Sequence, residues 1–246
     1  ECYRRYGITF DNTSVLHEDG SFREMPVLAD WYDVLQSSAD TKHLAVVLAR
    51  YVTGSASAMG SRNEIDLDNK YIVIDTSGMP DDLLLPGIFW ATDIANDLIS
   101  GAGGQLSALI SDELWSLVGA NSNPLAAGYI QEMVKTIRGL GGIAITSTQG
   151  MQDLFSLDNG KYGKGILDSS RIKIVMQMEE QEARLIQNVL NLSEEEVRQI
   201  TRFRRGEGLL CIGYNHVPIA FYATQKEYDA ITTSPTDLLN RKEREA

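Results

Sequence analysis

The stretch Leu106-Ser-Ala-Leu-Ile-Ser-Asp112-Glu113 decides the fold that we predict for this chain. It is an apolar run of strand length that ends in two adjacent carboxylates. A second run of this kind, Ile143-Ala-Ile-Thr-Ser-Thr148-Gln149, follows one helical segment later and ends in polar residues. Strands of a parallel sheet are buried on both faces, so runs that are apolar throughout favour such a sheet.

Helical patterns separate these runs. Trp90, Ile94 and Leu98 lie four residues apart, which is one face of a helix. The other predicted elements are helices around 44–51, 130–137 and 183–190, strands at 71–74 and 171–176, a helix started by a Ser193/Glu196 capping box, and a hairpin of 209–212 with 219–222. Strands that alternate with helices predict an α/β fold with a mainly parallel sheet, here closed by a C-terminal hairpin.

Composition narrows the class of protein. The 246 residues carry a net charge of −12, which argues against a broad basic face for duplex DNA. The two cysteines, Cys2 and Cys211, suit a reducing compartment without a disulfide framework. No apolar run approaches the 18 residues of a membrane span. Because the sequence starts at Glu1 without an initiator Met or a signal pattern, we expect it to be a piece of a longer chain.

The carboxylates of Asp112 and Glu113 are candidates for phosphate chemistry. Open α/β sheets bind ligands outside the carboxyl ends of their strands. There Asp112 can hold Mg²⁺, and Glu113 can polarise a water for attack on a γ-phosphate. The alternative is that both carboxylates only favour the start of the next helix through its dipole.

Two further candidates stand near the second strand. Gln149 can contact a γ-phosphate or its attacking water, or it can simply bond a loop carbonyl. Arg138 shares the spacing i, i+4, i+7 with Gln131 and Lys135 on the polar side of a helix, which is usually a solvated face. An arginine there can instead reach the phosphate of a neighbouring subunit.

A basic cluster and several absent motifs complete the survey. Arg202, Arg204 and Arg205 precede the hairpin and form either a solvated loop or a phosphate or subunit contact. No G-x-x-x-x-G-K-[ST] motif occurs, and the Gly54–Ser61 stretch lacks both the lysine and a preceding strand. Scattered histidines and the lack of G-x-S-x-G make metalloprotease and serine-hydrolase activities poor hypotheses.

Four motifs in order give the chain a family resemblance. They are Ser-Asp112-Glu113-Leu-Trp115, Arg138-Gly-Leu-Gly-Gly142, Thr146-Ser-Thr-Gln149 and Arg202-Phe-Arg-Arg-Gly206-Glu-Gly-Leu-Leu. From about Tyr71 to Thr224 the chain resembles the motor domain of conjugative-transfer (type IV secretion) ATPases, the TraC/VirB-type members of the HerA–FtsK superfamily. The family typically has Asp-Glu-Ala-Trp at its Walker B strand, where this chain has Asp-Glu-Leu-Trp.

The resemblance implies a RecA-like P-loop NTPase core over residues 63–246 and part of a helical insertion over 1–62. It implies ATP and Mg²⁺ as ligands, with Asp112 on the metal, Glu113 as catalytic base and Gln149 as γ-phosphate sensor. Arg138 would reach the adjacent subunit of a ring, with Arg205 a second candidate for nucleotide contact. The Walker A lysine and threonine have no counterpart here and are expected upstream of Glu1.

As a whole, the resemblance implies an ATPase that powers conjugative DNA transfer or type IV secretion. Such a protein would assemble into a ring, expected to be a hexamer, at the cytoplasmic, inner face of the cell membrane. Its partners would be other secretion components and a coupling protein, without strong duplex DNA binding by this segment. The alternatives are a HerA- or FtsK-like DNA translocase or coupling protein, and a non-catalytic scaffold with an ATPase fold.

Overall fold

The structure is a computed structural model that describes residues 1–62, 67, 69–76, 78–101, 105–119 and 122–237. The chain forms two compact units, Glu1–Ala91 and Thr92–Ala246. The predicted boundary after residue 62 borders residues 63–66, which lie outside the described part, and it stays a prediction. The glycine-rich stretch 101–104 predicts the end of the helix that contains Trp90, Ile94 and Leu98, and its residues 102–104 also lie outside the described part.

The first unit is helical and irregular. Its helices are α1 (Cys2–Arg5), α2 (Leu28–Gln36), α3 (Lys42–Val52) and the first part of α4 (Asp81–Gly101), with 3-10 turns at Asn12–Val15 and Ser57–Gly60. The helix predicted around 44–51 is confirmed. The spacing i, i+3, i+4, i+7 also predicts that Leu44, Val47, Leu48 and Tyr51 form its buried face, and this is wrong. Val47 is 70% exposed, whereas Ala45, on another side of α3, is buried.

The strand predicted at 71–74 does not form. These residues lie in the first unit without regular secondary structure, and Tyr71 and Val73 are exposed. A strand exists only through a ladder with a neighbour, and no described strand pairs with this segment. The apolar run alone therefore could not decide its conformation.

The second unit contains the described strands. In chain order its elements are the rest of α4, β1 (Ser107–Ser111), α5 (Trp115–Val118), α6 (Pro124–Thr136), a 3-10 turn (Ile137–Leu140), β2 (Gly142–Thr146), α7 (Met151–Leu154), a 3-10 turn (Leu157–Gly160), α8 (Lys161–Ser169), β3 (Ile172–Met176), α9 (Glu180–Leu190), α10 (Glu194–Ile200), β4 (Glu207–Ile212), β5 (Asn215–Ala220) and α11 (Gln225–Ile231). The predicted α/β class with a parallel sheet is confirmed. A parallel pair joins β1 to β2, with Ser107 opposite Gly142 and Ser111 opposite Thr146.

The parallel pair buries only one face among the described residues. Gly142 lies on the covered face, where a Cβ would approach to 2.6 Å from Ile137 Cγ1 and 3.0 Å from Ile99 Cγ2. On the other face Ile110 is 65% and Ile143 54% exposed. The prediction that both faces are buried is thus wrong for the described part, because helices pack there on one side only.

The closing hairpin is confirmed, but its second strand is β5 at Asn215–Ala220 and not the predicted 219–222. The hairpin extends a second sheet. The strand order β3-β4-β5 is antiparallel throughout, with Val175 opposite Leu209 and Cys211 opposite His216. One face of this sheet packs on α9 and α10 to form the main core. The buried members are Val175, Ala183, Ile186, Leu190, Leu192, Val197, Ile200, Leu209 and Cys211. The sequence pattern predicted the hairpin but not its attachment to β3.

A local cap starts α10 as the sequence predicted. The Ser193 N–H donates to Glu196 Oε2 at 2.7 Å, and the Glu196 N–H donates to Ser193 Oγ at 3.2 Å. The Nδ1 atom of His216, on β5, lies 2.7 Å from Glu196 Oε1. The capping carboxylate therefore also ties the hairpin to α10.

Two remaining features bear on the sequence predictions. Cys2 and Cys211 are both buried and free. Over the described residues, none of the helices combines the length and the apolar character that crossing a membrane requires.

Candidate functional site at the carboxyl ends of two parallel strands

The carboxyl ends of β1 and β2 lie side by side. Because Ser111 pairs with Thr146, the residues that follow each strand leave the sheet at the same edge. Two backbone hydrogen bonds continue the ladder beyond the strands. The Ser147 N–H donates to the Ser111 carbonyl at 3.0 Å, and the Leu114 N–H donates to the Ser147 carbonyl at 2.8 Å. This register brings Asp112 and Glu113 next to residues 147–149.

Asp112 is an exposed carboxylate with two local donors. The Ser147 hydroxyl donates to its Oδ1 atom, and the Glu113 N–H donates to the same oxygen at 3.1 Å. An ionised carboxylate offers about four lone-pair sites, so acceptor capacity remains for a hard cation. Mg²⁺ is commonly held by one or two carboxylates together with substrate phosphates. Asp112 fits that role chemically, and the described residues contain no cluster of three or more histidine, cysteine or acidic ligands.

Glu113 has a left-handed backbone with φ +52°. Residues other than glycine adopt this conformation at a cost of about 1–3 kcal/mol, and such strain is common at functional sites. Leu114 stabilises this turn, because its side chain is 2% exposed and its N–H donates to the Ser147 carbonyl. The chain thereby turns sharply from β1 into α5 and leaves the Glu113 side chain at the sheet edge.

Gln149 lies directly against Glu113. Its Nε2 atom donates to Glu113 Oε1 at 2.6 Å, between residues 36 positions apart in the chain. The alternative of an amide that bonds a loop carbonyl does not describe this contact, because the acceptor is a carboxylate. The structure thus brings together three residues that the sequence singled out, Asp112, Glu113 and Gln149.

Thr148 is a residue of this edge that the sequence survey did not single out. Its Oγ1 atom is buried, and the described residues give it no hydrogen-bond partner. The sequence signal that could have identified Thr148 is its place in Thr146-Ser-Thr-Gln149, next to the predicted γ-phosphate sensor Gln149. Buried polar atoms of this kind are rare in folded proteins, so each one calls for an explanation.

Arg138 lies away from this edge. It is exposed in the 3-10 turn that precedes β2, whereas Gln149 follows β2. A five-residue strand spans about 16 Å, so Arg138 and Gln149 stand at opposite ends of it. The predicted polar stripe is wrong at Gln131, which is half-buried against α8 and donates to the Lys161 carbonyl at 3.4 Å. Glycine at position 165 permits this packing, because a Cβ there would overlap the Gln131 side chain.

The basic cluster lies on the loop between α10 and β4. Phe203 packs against the core, while the arginines at 202, 204 and 205 are exposed. The loop is closed by Glu207, whose Oε2 accepts from the Arg204 N–H at 2.7 Å. Hydrogen bonding from Tyr228 is the main reason that the pKa of Asp237 is lowered, and Arg205 contributes less. This loop is not part of the contacts that join Asp112, Glu113 and Gln149.

Comparison with known proteins found a family model that matches most of the chain. The sequence profile of the family described as "TraG P-loop domain" matches residues 26–239. No curated protein gave a significant match.

Among solved structures, VirB4 of Thermoanaerobacter pseudethanolicus matches with a TM-score of 0.75 and 24% identity over 92% of this chain. The match covers 62% of that structure's chain, so this sequence spans less than two thirds of it. The genome packaging NTPase B204 of Sulfolobus turreted icosahedral virus 2, solved with ATP-gammaS, has a TM-score of 0.46 and 18% identity over 66% of this chain and 74% of its own. The VirB4 likeness confirms the predicted RecA-like α/β core.

Proposed function

Because this chain belongs to the family of TraG P-loop domains, we propose that it is the motor domain of an ATPase that powers conjugative DNA transfer or type IV secretion. The membership confirms the family resemblance drawn from the ordered motifs. One observation supports the activity most. It is the junction at the end of β1 and β2 where Asp112, Glu113 and Gln149 meet, with Gln149 Nε2 2.6 Å from Glu113 Oε1.

Each of the three side chains has a distinct part in the proposed hydrolysis. Asp112 would hold Mg²⁺, which when bound offsets the charge of the β- and γ-phosphates. Glu113 would accept a proton from the attacking water as general base. Gln149, whose amide can both donate and accept, would contact the γ-phosphate or that water. The left-handed backbone of Glu113 directs its carboxylate to the edge where these groups meet.

The phosphate cradle must come from elsewhere in the protein. The printed sequence has no G-x-x-x-x-G-K-[ST] motif, and in P-loop NTPases that loop and its lysine hold the β- and γ-phosphates. We propose that residues outside the printed sequence supply it. Hydrolysis is therefore assigned to the full-length protein and not to residues 1–246 alone.

We also propose a ring in which each site borders the next subunit. The exposed position of Arg138, at the far end of β2 from Gln149, suits an arginine that serves a neighbour's site. Arg205 is the second candidate for nucleotide contact. The proposed assembly is a hexamer, peripheral at the cytoplasmic face of the inner membrane, in contact with other secretion components and a coupling protein.

The test measures ATP hydrolysis and transfer together. Full-length protein carrying Glu113→Gln is compared with wild type and with Glu132→Gln, which makes the same change at an exposed position of α6. Loss of a positioned general base lowers turnover by about 10²–10⁴-fold. We expect this loss, and a matching loss of conjugative transfer or secretion in cells, for Glu113→Gln only. Unchanged turnover would leave Glu113 as a carboxylate at the start of a helix.

A further inference from the structure

We propose that Thr148 is a further positioning residue of this site, whose hydroxyl holds the 147–149 segment when Gln149 turns from Glu113 to the nucleotide. The inference rests on the proposed ATP hydrolysis and deepens it. It starts from the buried Oγ1 atom of Thr148, for which the described residues provide no hydrogen-bond partner.

Stability of the described state does not explain a hydroxyl at this position. A buried donor or acceptor without a partner destabilises a fold, and an apolar group of the same shape avoids that cost. Valine has nearly the shape of threonine and suits an extended segment beside a strand. A hydroxyl that is costly in this arrangement points to a second arrangement in which it is used.

The neighbours of Thr148 already form hydrogen bonds with residues at the end of β1 and in the turn that follows it. The Ser147 N–H donates to the Ser111 carbonyl, and its hydroxyl donates to Asp112 Oδ1. The Ser147 carbonyl accepts from the Leu114 N–H. The side-chain amide of Gln149 donates to the Glu113 carboxylate. Within residues 147–149, the Thr148 hydroxyl is thus the buried side-chain group without a partner among the described residues.

In the described state the Gln149 amide bonds the carboxylate of the proposed base. This bond uses one of the two amide hydrogens and one carboxylate lone pair, and it holds the amide against Glu113. In the proposed reaction Gln149 turns from Glu113 to the γ-phosphate, and the segment must be held in its new position. Thr148 lies one residue from Gln149 and can both donate and accept a hydrogen bond there.

The test compares Thr148→Val with Thr148→Ser in the full-length protein, because the two variants separate shape from hydroxyl. Valine keeps the shape and removes the hydroxyl, whereas serine keeps the hydroxyl and removes a methyl group. A positioning role predicts opposite rank orders for turnover and stability. We expect Thr148→Val to lower kcat by about 10-fold, the worth of one hydrogen bond, with the KM for ATP changed by less than about 2-fold.

Stability is measured on the same proteins by urea unfolding without nucleotide. Thr148→Val should unfold at the wild-type urea midpoint or above it, and Thr148→Ser should unfold below it while it keeps near-wild-type kcat. Wild-type kcat in Thr148→Val overturns the assignment. So does a Thr148→Val protein that loses stability and turnover together or fails to fold, because that result indicates a structural role. If the wild-type protein hydrolyses no ATP, the proposed function fails first and this inference falls with it.

Discussion

The side-chain amide of Gln149 donates a 2.6 Å hydrogen bond to the carboxylate of Glu113 across the ends of two parallel strands. The contact joins residues 36 positions apart and brings the predicted γ-phosphate sensor, Gln149, against the predicted catalytic base, Glu113. It gives the site a defined geometry that can be changed one group at a time.

The first prediction concerns the charge of this pair. Gln149→Glu places two carboxylates within hydrogen-bonding distance, and like charges raise the pKa of such a pair. A general base works only when ionised, so the variant should need a higher pH than wild type to reach its own maximal rate. The rate of ATP hydrolysis, measured from about pH 5 to about pH 9, tests this shift. Gln149→Leu, which removes the donor and adds no charge, serves as control and should lower the rate with a smaller shift of the acid limb than Gln149→Glu causes. Identical acid limbs for Gln149→Glu and wild type would contradict the contact in solution.

The second prediction concerns nucleotide affinity of residues 1–246. Backbone amides of a P-loop and its lysine provide most of the contacts to phosphates, and the printed sequence lacks that motif. We expect Mg-ATP binding to be too weak to saturate this segment in calorimetry. A dissociation constant on the order of 1 μM, equal to about −8.2 kcal/mol, would overturn the expectation. The full-length protein is the positive control.

The third prediction tests whether Arg138 serves a neighbouring subunit. Arg138→Ala and Glu113→Gln should each be nearly inactive alone, because a trans arginine contributes about 10³–10⁵-fold to turnover. When the two proteins are mixed in one ring, some interfaces pair an intact Glu113 with an intact Arg138. Hydrolysis should then partly return, with an optimum at intermediate mixing ratios.

The control for this experiment is Lys135→Ala, an exposed cation one turn before Arg138. It should keep wild-type turnover both alone and in mixtures. A mixed ring that assembles but stays inactive at every ratio would assign Arg138 to a solvated surface.

The fourth prediction concerns acid stability of the α10 cap. Burial acts to raise the pKa of Glu196, but hydrogen bonds from Ser193 and His216 outweigh it, so the pKa lies below the ordinary value of 4.5. The ionised side chain therefore stabilises the fold above that value, and this stabilisation is lost as the pH falls through the lower, folded-state pKa. Glu196→Gln should lower the free energy of unfolding at pH 7 by about 1 kcal/mol. It should also flatten the dependence of stability on pH below 4.5.

Urea unfolding at a series of pH values measures both effects. Glu195→Gln is the matched control, since that neighbouring glutamate is 76% exposed and forms an ion pair with the exposed Arg198. It should change stability little. Equal effects of the two substitutions would show that the cap and the His216 contact add nothing.

Local sequence patterns predicted much of the second unit correctly. The capping box of Ser193 and Glu196 acts over three residues, so the sequence alone could place it. The strands that become β1, β2 and β3 and the first strand of the hairpin were predicted for the same reason, since their signals lie within a few residues. The two polar strand ends also followed, because parallel strands expose their carboxyl ends at one edge.

The sequence by itself determined where β1, β2 and β3 lie and which side chains follow β1 and β2; only the tertiary structure decided their partners. The pairing of Gln149 with Glu113, the left-handed turn at Glu113 and the partnerless hydroxyl of Thr148 depend on the register of β1 with β2. The burial of Gln131 depends on the close approach of α8. Residues 71–74 have the composition of a strand and form none, because no described strand pairs with them. Hydrogen-bond ladders and packing join residues far apart in the chain, and a local pattern does not contain the position of the partner.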